Sequence, residues 1–282
     1  MKINIYRPFA LALLVSSMTA VGISQTTVMK RTAYKSDSVE FGAGGTVTIT
    51  GAPFGSIRIE GWNKGEIEVS AEIQIEAPTE ADLAKLAEVN GFVLDSTFNH
   101  LRINSVGTHD KNYLKRAGKK VPKNLLGLPF RIDYTIKVPQ YCDLNVDGGV
   151  GDFNVAGVDG NLRINFIKGD ARMTLDGGAI QAVFGTGNVD VTIPTRGWRG
   201  RFADIQLTSG TLNVFLPPNL NSVIDAVILR TGTIVNNFDE LKPRTRNDKF
   251  TDRSIVGKSG IGGVPIKFTL GDGTMNISRV KQ

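Results

Sequence analysis

The chain has 282 residues, 41% hydrophobic and 21% charged, with a formal net charge of +6. Such a composition can bury a sizeable core and excludes a wholly disordered chain. The modest charge argues against a dedicated nucleic-acid binder, and the single cysteine, Cys142, excludes an internal disulfide.

Residues 1–24 read as a cleaved secretory signal peptide. Lys2 and Arg7 form a basic start, Phe9 to Val15 is apolar and uncharged, and the small residues Ser16, Ser17, Ala20, Gly22 and Ser24 follow. The apolar run is shorter than the roughly 20 residues that span a bilayer. Cleavage after Ala20, Gly22 or Ser24 fits the pattern, with Ser24 favoured; an uncleaved N-terminal anchor is the alternative. No Cys lies near the site, which argues against a lipid-anchored lipoprotein, and no later segment reads as a transmembrane helix. Loss of Lys2 and Arg7 lowers the net charge from +6 to +4. Residues 25–282 read as one domain.

Along that domain, Gly45-Thr-Val-Thr-Ile, Gly55-Ser-Ile-Arg-Ile and Gly65-Glu-Ile-Glu-Val recur at a spacing of ten. Residues 79–90 break the pattern. Thr79 stands before Glu80 and Asp82, Leu83, Leu86 and Ala87 recur at helical spacing, and Gly91 offers a stop, so a short helix is expected. Strands resume at 92–94, 101–103 and 132–138. Between the last two, residues 111–128 carry Lys111, Lys115, Arg116, Lys119, Lys120 and Lys123 with no acid, and read as an exposed basic loop. Cys142, Leu144 and Val146 alternate on a strand. Cys142 reads as a small buried hydrophobe, with a nucleophile or an intermolecular disulfide as the alternative.

The strongest signal follows. Gly151-Asp-Phe-Asn-Val, Gly160-Asn-Leu-Arg-Ile, Gly169-Asp-Ala-Arg-Met, Gly178-Ala-Ile-Gln-Ala and Gly187-Asn-Val-Asp-Val start nine residues apart each time. Gly210-Thr-Leu-Asn-Val and Gly273-Thr-Met-Asn-Ile echo them. Alternate residues of a strand point to opposite faces, so each unit hides two or three apolar side chains. One such unit cannot own a core; a stack of them can. Two units per coil predict an all-β, single-column β-solenoid of about two short strands per coil, with one helix near residues 79–90. Leu162 then stacks on Ile180, Ile164 on Ala182 and Phe166 on Phe184, while Val155, Met173 and Val191 line the opposite inner wall. An antiparallel meander is the rival. Later, Arg196, Trp198, Arg199 and Arg201 form a second basic stretch with interleaved aromatics, which reads as cover for a loop or the solenoid edge, with stacking on sugar or base rings as the alternative. Leu216-Pro-Pro ends a strand, residues 241–262 read as a loop, and 266–270 and 274–278 as a final strand pair.

The coil register sets Asp152 over Asp170, about 5 Å apart. Such a pair could hold calcium, but neutralisation by Arg172 is the preferred reading, and no metal or cofactor is expected. His100 and His109 lack zinc-site spacing, and no nucleophile elbow, P-loop or dinucleotide fingerprint stands in a fitting context.

With those residues in view, positions 55–229 resemble a bacterial family of exported β-repeat domains. The family is labelled "putative adhesin" or domain of unknown function and is related to head domains of autotransporter adhesins. The resemblance rests on Gly61-Trp-Asn-Lys before a Glu-Val-Ser-Ala strand, Ile132-Asp-Tyr-Thr-Ile-Lys-Val-Pro, the two Gly-Asx rungs at 151 and 187, and Leu216-Pro before Val223–Leu229. The insertion at 111–128 and the tail after Asn236 depart from the pattern. The resemblance implies a periplasmic, envelope or cell-surface role. The absence of catalytic motifs points to a role without catalysis, and the charge pattern to envelope polysaccharide, an anionic lipid surface or another envelope protein as partner, and not nucleic acid. The expected contact residues are Lys115, Arg116, Lys119, Lys120, Arg196, Trp198, Arg199 and Arg201. The alternative is a polysaccharide-active β-helix enzyme using the surface carboxylates Asp152, Asp170 and Asp190.

Overall fold

The structure, a computed structural model, describes residues 28–194 and 198–281. The expected signal peptide and Arg196 lie outside the described residues. Among those described, alternating apolar and polar positions make seventeen strands. They join into one sheet that folds over on itself, nearly closed and barrel-like.

The chain enters through β1 (Met29–Glu40), a largely exposed strand that no apolar alternation announces. β2 (Thr46–Thr50), β3 (Ile57–Trp62) and β4 (Glu66–Ala77) follow the Gly45, Gly55 and Gly65 units. The Gly65 unit is not a five-residue rung. Its alternation continues through Ile67, Val69, Ala71, Ile73, Ile75 and Ala77, all buried, and β4 pairs antiparallel with β1.

The expected helix is α1 (Glu80–Val89), whose first turn is capped by Thr79 Oγ1 accepting from Asp82 N at 3.2 Å. It stops at Asn90, not through Gly91. The Asn90 amide donates to Leu86 O and its Oδ1 accepts from Thr108 N, while Gly91 already opens β5 (Gly91–Thr97). β6 (His100–Val106) pairs antiparallel with β5. The basic segment 111–128 is not a plain loop. It holds α2 (Lys111–Arg116), capped by Asp110, and a 3-10 turn at Lys123–Leu125. Leu114 and Leu125 are buried and anchor it, an apolar signal submerged among lysines. β7 (Phe130–Pro139) then pairs with β3 in parallel and with β4 antiparallel.

The nine-residue units become β8 (Asp143–Val150), β9 (Phe153–Ala156), β10 (Asn161–Lys168), β11 (Ala171–Thr174) and β12 (Gly177–Thr192), with β13 (Arg199–Leu216) after them. They form two parallel ladders facing each other. In one, Leu144, Leu162 and Ile180 lie in line, as do Val146, Ile164 and Ala182, and Phe166 lies opposite Phe184. In the other, Val155, Met173 and Val191 align. The core fills the space between them, where the Phe153 ring meets Phe166 and Phe184 with centroids 5.1 and 6.3 Å apart. Each such side chain contributes roughly 1.5–3 kcal/mol on full burial.

The recurring glycine marks the corner where the chain passes from one ladder to the other. Gly187 has φ +151°, and a Cβ there would lie 1.9 Å from Gly169 O on the previous winding. Gly210 repeats the arrangement over Gly187. The corner therefore excludes any side chain as well as favouring the glycine conformation.

Past β12 the register changes. Asp190 and Asn213 are 23 residues apart, not 18. The remaining strands are β14 (Ser222–Asn237), β15 (Lys242–Pro243), β16 (Ser254–Ser259) and β17 (Val264–Arg279). The expected final pair is the single strand β17, and it lies between β13 and β14 rather than after them. The expected loop at 241–262 contains β15 and β16. β16 runs antiparallel to β14 and covers an edge that would otherwise be open.

Candidate functional site

Between the corners, the outward positions of one ladder carry polar side chains winding after winding. Thr46, Asp143, Asn145, Asn161, Arg163, Gln181 and Arg201 line an open groove of about 570 Å³. A smaller depression of about 230 Å³ continues it over Asn165, Asp204 and Gln206. The strands hold these groups at the ladder spacing, and the groups also bond to one another. Asp143 accepts from Asn161 N and Nδ2 at 2.7 and 2.9 Å, and Asn165 Nδ2 donates to Asp147 at 2.9 Å. Arg201 donates to Asn161 Oδ1. The result is a flat, pre-ordered array of planar donors and acceptors, suited to hydroxyl-rich or amide-rich ligands. Asn145 and Gln181 were legible only as outward residues of the repeat, since neither forms a motif.

The expected contact residues separate into two places. Lys115, Arg116, Lys119 and Lys120 are exposed on and after α2, and none of them lines the groove. Arg201 lines it, while Arg199 faces Asp159 at 3.9 Å. Trp198 does not offer its ring to solvent. It is only 9% exposed and packs over Gly200, so tightly that a Cβ there would meet the indole at 2.0 Å.

The candidate catalytic or calcium-binding carboxylates are engaged elsewhere. Asp152 Oδ1 accepts from Asp170 N at 3.3 Å, and Asp170 Oδ1 from Asn188 N at 2.9 Å, so each caps the backbone of the next winding. Asp190 accepts from Asn213 Nδ2 at 2.8 Å. Arg172 does not neutralise the Asp152–Asp170 pair; its nearest carboxylate partner is Asp190, at 3.8 Å. Among the described residues, no group of three or more His, Cys, Asp or Glu is placed to hold a metal ion.

The remaining reactive groups are held by packing. Cys142 is buried, and burial, with Asp143 adding to it, pushes the thiol up to about 12. His100 Nε2 lies 2.9 Å from Thr48 Oγ1. His109 stacks on Phe130 with centroids 5.3 Å apart. Loss of water lowers its pKa, against the opposing pull of Asp110. Burial raises Tyr134 to about 12, although its hydroxyl bonds Ser105 at 2.7 Å.

No family model matches the chain, and no curated protein matches it. Solved structures do. A "putative cell adhesion protein" from Clostridium sporogenes matches with a TM-score of 0.47 at 13% identity, covering 89% of this chain and 100% of that one. A "putative adhesin" from Bacteroides fragilis matches with a TM-score of 0.28 at 13% identity, covering 88% and 97%. A "putative lipid binding protein" from Parabacteroides distasonis matches with a TM-score of 0.27 at 12% identity, covering 88% and 97%. No helix among the described residues is long and apolar enough to cross a membrane.

Proposed function

We propose that this chain is a non-enzymatic interaction protein of the cell envelope or surface. In this reading a leader is removed after residue 24, and residues 25–282 act as one β-solenoid domain that binds a hydroxyl-rich polymer along its polar ladder. The observation that carries the reading is the continuous groove from Asp143 to Arg201, whose side chains are set in register before any ligand arrives. Pre-ordered polar groups lose little rotamer entropy on binding. The leader pattern supports export, and the resemblance of residues 55–229 to adhesin-type domains supports the placement. The carboxylates an enzyme would need are committed to backbone and amide donors, which weighs against the glycosidase alternative.

The test is direct. The mature chain is titrated with soluble envelope and plant polysaccharides while reducing ends are assayed. The reading expects binding without new reducing ends, weakened at least about tenfold in an Arg163→Ala/Arg201→Ala double variant, since two charge-assisted contacts are lost. Turnover abolished by Asp170→Asn would establish the enzyme instead.

A further inference from the structure

The basic insertion and a neighbouring corner of the sheet enclose a second, chemically different cavity. Pro53, Phe54, His109, Leu126, Leu128 and Phe130 line an open cleft of about 430 Å³. That volume falls within the range of small-molecule sites, and none of its lining residues is shared with the polar groove. Its walls are mostly apolar. His109 lies nearly flat on Phe130, with an interplanar angle of 19°.

One residue of the cleft wall, Phe54, adjoins further exposed apolar residues. Phe54 bridges to Val150 on the next winding, and Val150 lies opposite Lys168, beside Ile167, on the winding after that. Phe54, Val150 and Ile167 are 54%, 37% and 67% exposed. Exposed apolar side chains gathered at one corner mark an interaction site more often than isolated ones do.

The charge on the insertion is of one sign. Lys115, Arg116, Lys119, Lys120 and Lys123 are exposed on the segment that ends in the cleft wall, and no acid occurs between 111 and 128. The nearest carboxylates in sequence are engaged: Asp110 caps α2, and Asp133 is paired with Arg131 at 2.7 Å.

We propose that this cleft binds an anionic amphiphile. One acyl chain lies against Phe54, Leu126, Leu128 and Phe130, and the phosphate or carboxylate head meets the lysines of the insertion. The site is independent of the polymer-binding groove. Apolar burial supplies the affinity, and the lysines select the charge of the head.

The probe is dodecyl phosphate below its micelle concentration, measured by equilibrium dialysis against the mature chain. Neutral dodecyl maltoside serves as the control of equal chain length. Dodecyl phosphate is expected to bind at least about tenfold more tightly, and rising salt should erode that difference. Phe54→Ser, at an exposed position, should weaken it about tenfold or more while leaving the urea midpoint of the free protein nearly unchanged. Lys119→Glu/Lys120→Glu should remove the salt dependence while sparing maltoside binding. Equal binding of the two detergents, or binding indifferent to Phe54→Ser, overturns the proposal. So does capture by phosphatidylglycerol vesicles without binding of monomeric dodecyl phosphate, because the basic face would then read a membrane surface with the cleft empty.

Discussion

The windings from 143 to 192 and the opening region from 29 to 139 are built from the same alternating strands but are held together differently. Between 143 and 192 the strands pair with one another at a constant offset of 18, in backbone pairing, in core stacking and in outward bonds such as Asn165 to Asp147. In the opening region parallel pairs such as β3 with β7 are mixed with antiparallel ones, and along the antiparallel pair of β1 and β4 the separation drifts from Met29 opposite Ala77 to Glu40 opposite Glu66. A constant offset lets one geometry be reused at each level. It also forces each winding to pass the same corner at the same height, so a demand on one residue becomes a demand on a column.

That difference predicts the largest effect. Gly187→Ala places a methyl 1.9 Å from Gly169 O at φ +151°. The backbone of two windings must then move, and the expected cost is about 4 kcal/mol or more, or loss of folded protein. Gly44 in the opening region also has positive φ, +80°, but nothing lies within 4 Å of its added Cβ. Gly44→Ala should cost only the conformational strain, about 1–2 kcal/mol. Urea unfolding of the two variants compares a stacked corner with an open turn, and similar losses would deny that the close approach makes the corner strict.

The cores should differ less than the corners. Phe184 packs on Phe153 across the windings, and Phe92 meets Tyr134 edge-on at 6.0 Å in the opening region. Both are almost fully buried. Truncating either to Ala should cost about 3–5 kcal/mol, since cavity formation depends on local packing and not on periodicity. A loss at Phe184 several times that at Phe92 would mean the windings unfold as a linked unit.

Legibility followed the same divide. The columns Leu162–Ile180 and Phe166–Phe184 could be read from the sequence because period and face coincide. The helix α1 was legible from Thr79 and its apolar spacing. β1 was not, because its residues are mostly exposed and show no apolar alternation. The insertion of β17 between β13 and β14 was invisible for another reason: Gly273-Thr-Met-Asn-Ile announces a rung but not its place in the stack. Of the candidate site, the basic residues were legible as charge, whereas Trp198 left two readings open. An aromatic among arginines can stack on a ligand or cover an edge, and here the ring is buried.

Single hydrogen-bond caps come next in size. Asp170→Ala removes the acceptor of Asn188 N and Nδ2 in the windings, and Thr79→Ala removes the acceptor of Asp82 N at α1. Each should cost about 1 kcal/mol in urea unfolding. Local caps act on one backbone amide in both regions, so a loss well above that at Asp170 would show that the outward polar column behaves cooperatively.

The smallest effect lies where the two regions join. Asp133 on β7 accepts from Ser56 N at 2.7 Å and from Arg131 Nε, and Ser56 Oγ in turn accepts from Asp152 N in the first winding. Burial alone would raise the Asp133 carboxyl, but Arg131 and the Ser56 amide outweigh it and hold the group below its ordinary value. A carboxylate depressed in the folded state binds fewer protons folded than unfolded. Its contribution is therefore fully present above the unfolded pKa, near 3.9, and is lost as pH falls through the lower folded value. Asp133→Asn should accordingly lower the urea midpoint at about pH 7 and make little difference at about pH 2. If Asp133→Asn left the midpoint at about pH 7 unchanged, the charge of Asp133 would not be what fastens the opening strands to the repeats, and the shape and accepting oxygen that Asn keeps would be sufficient.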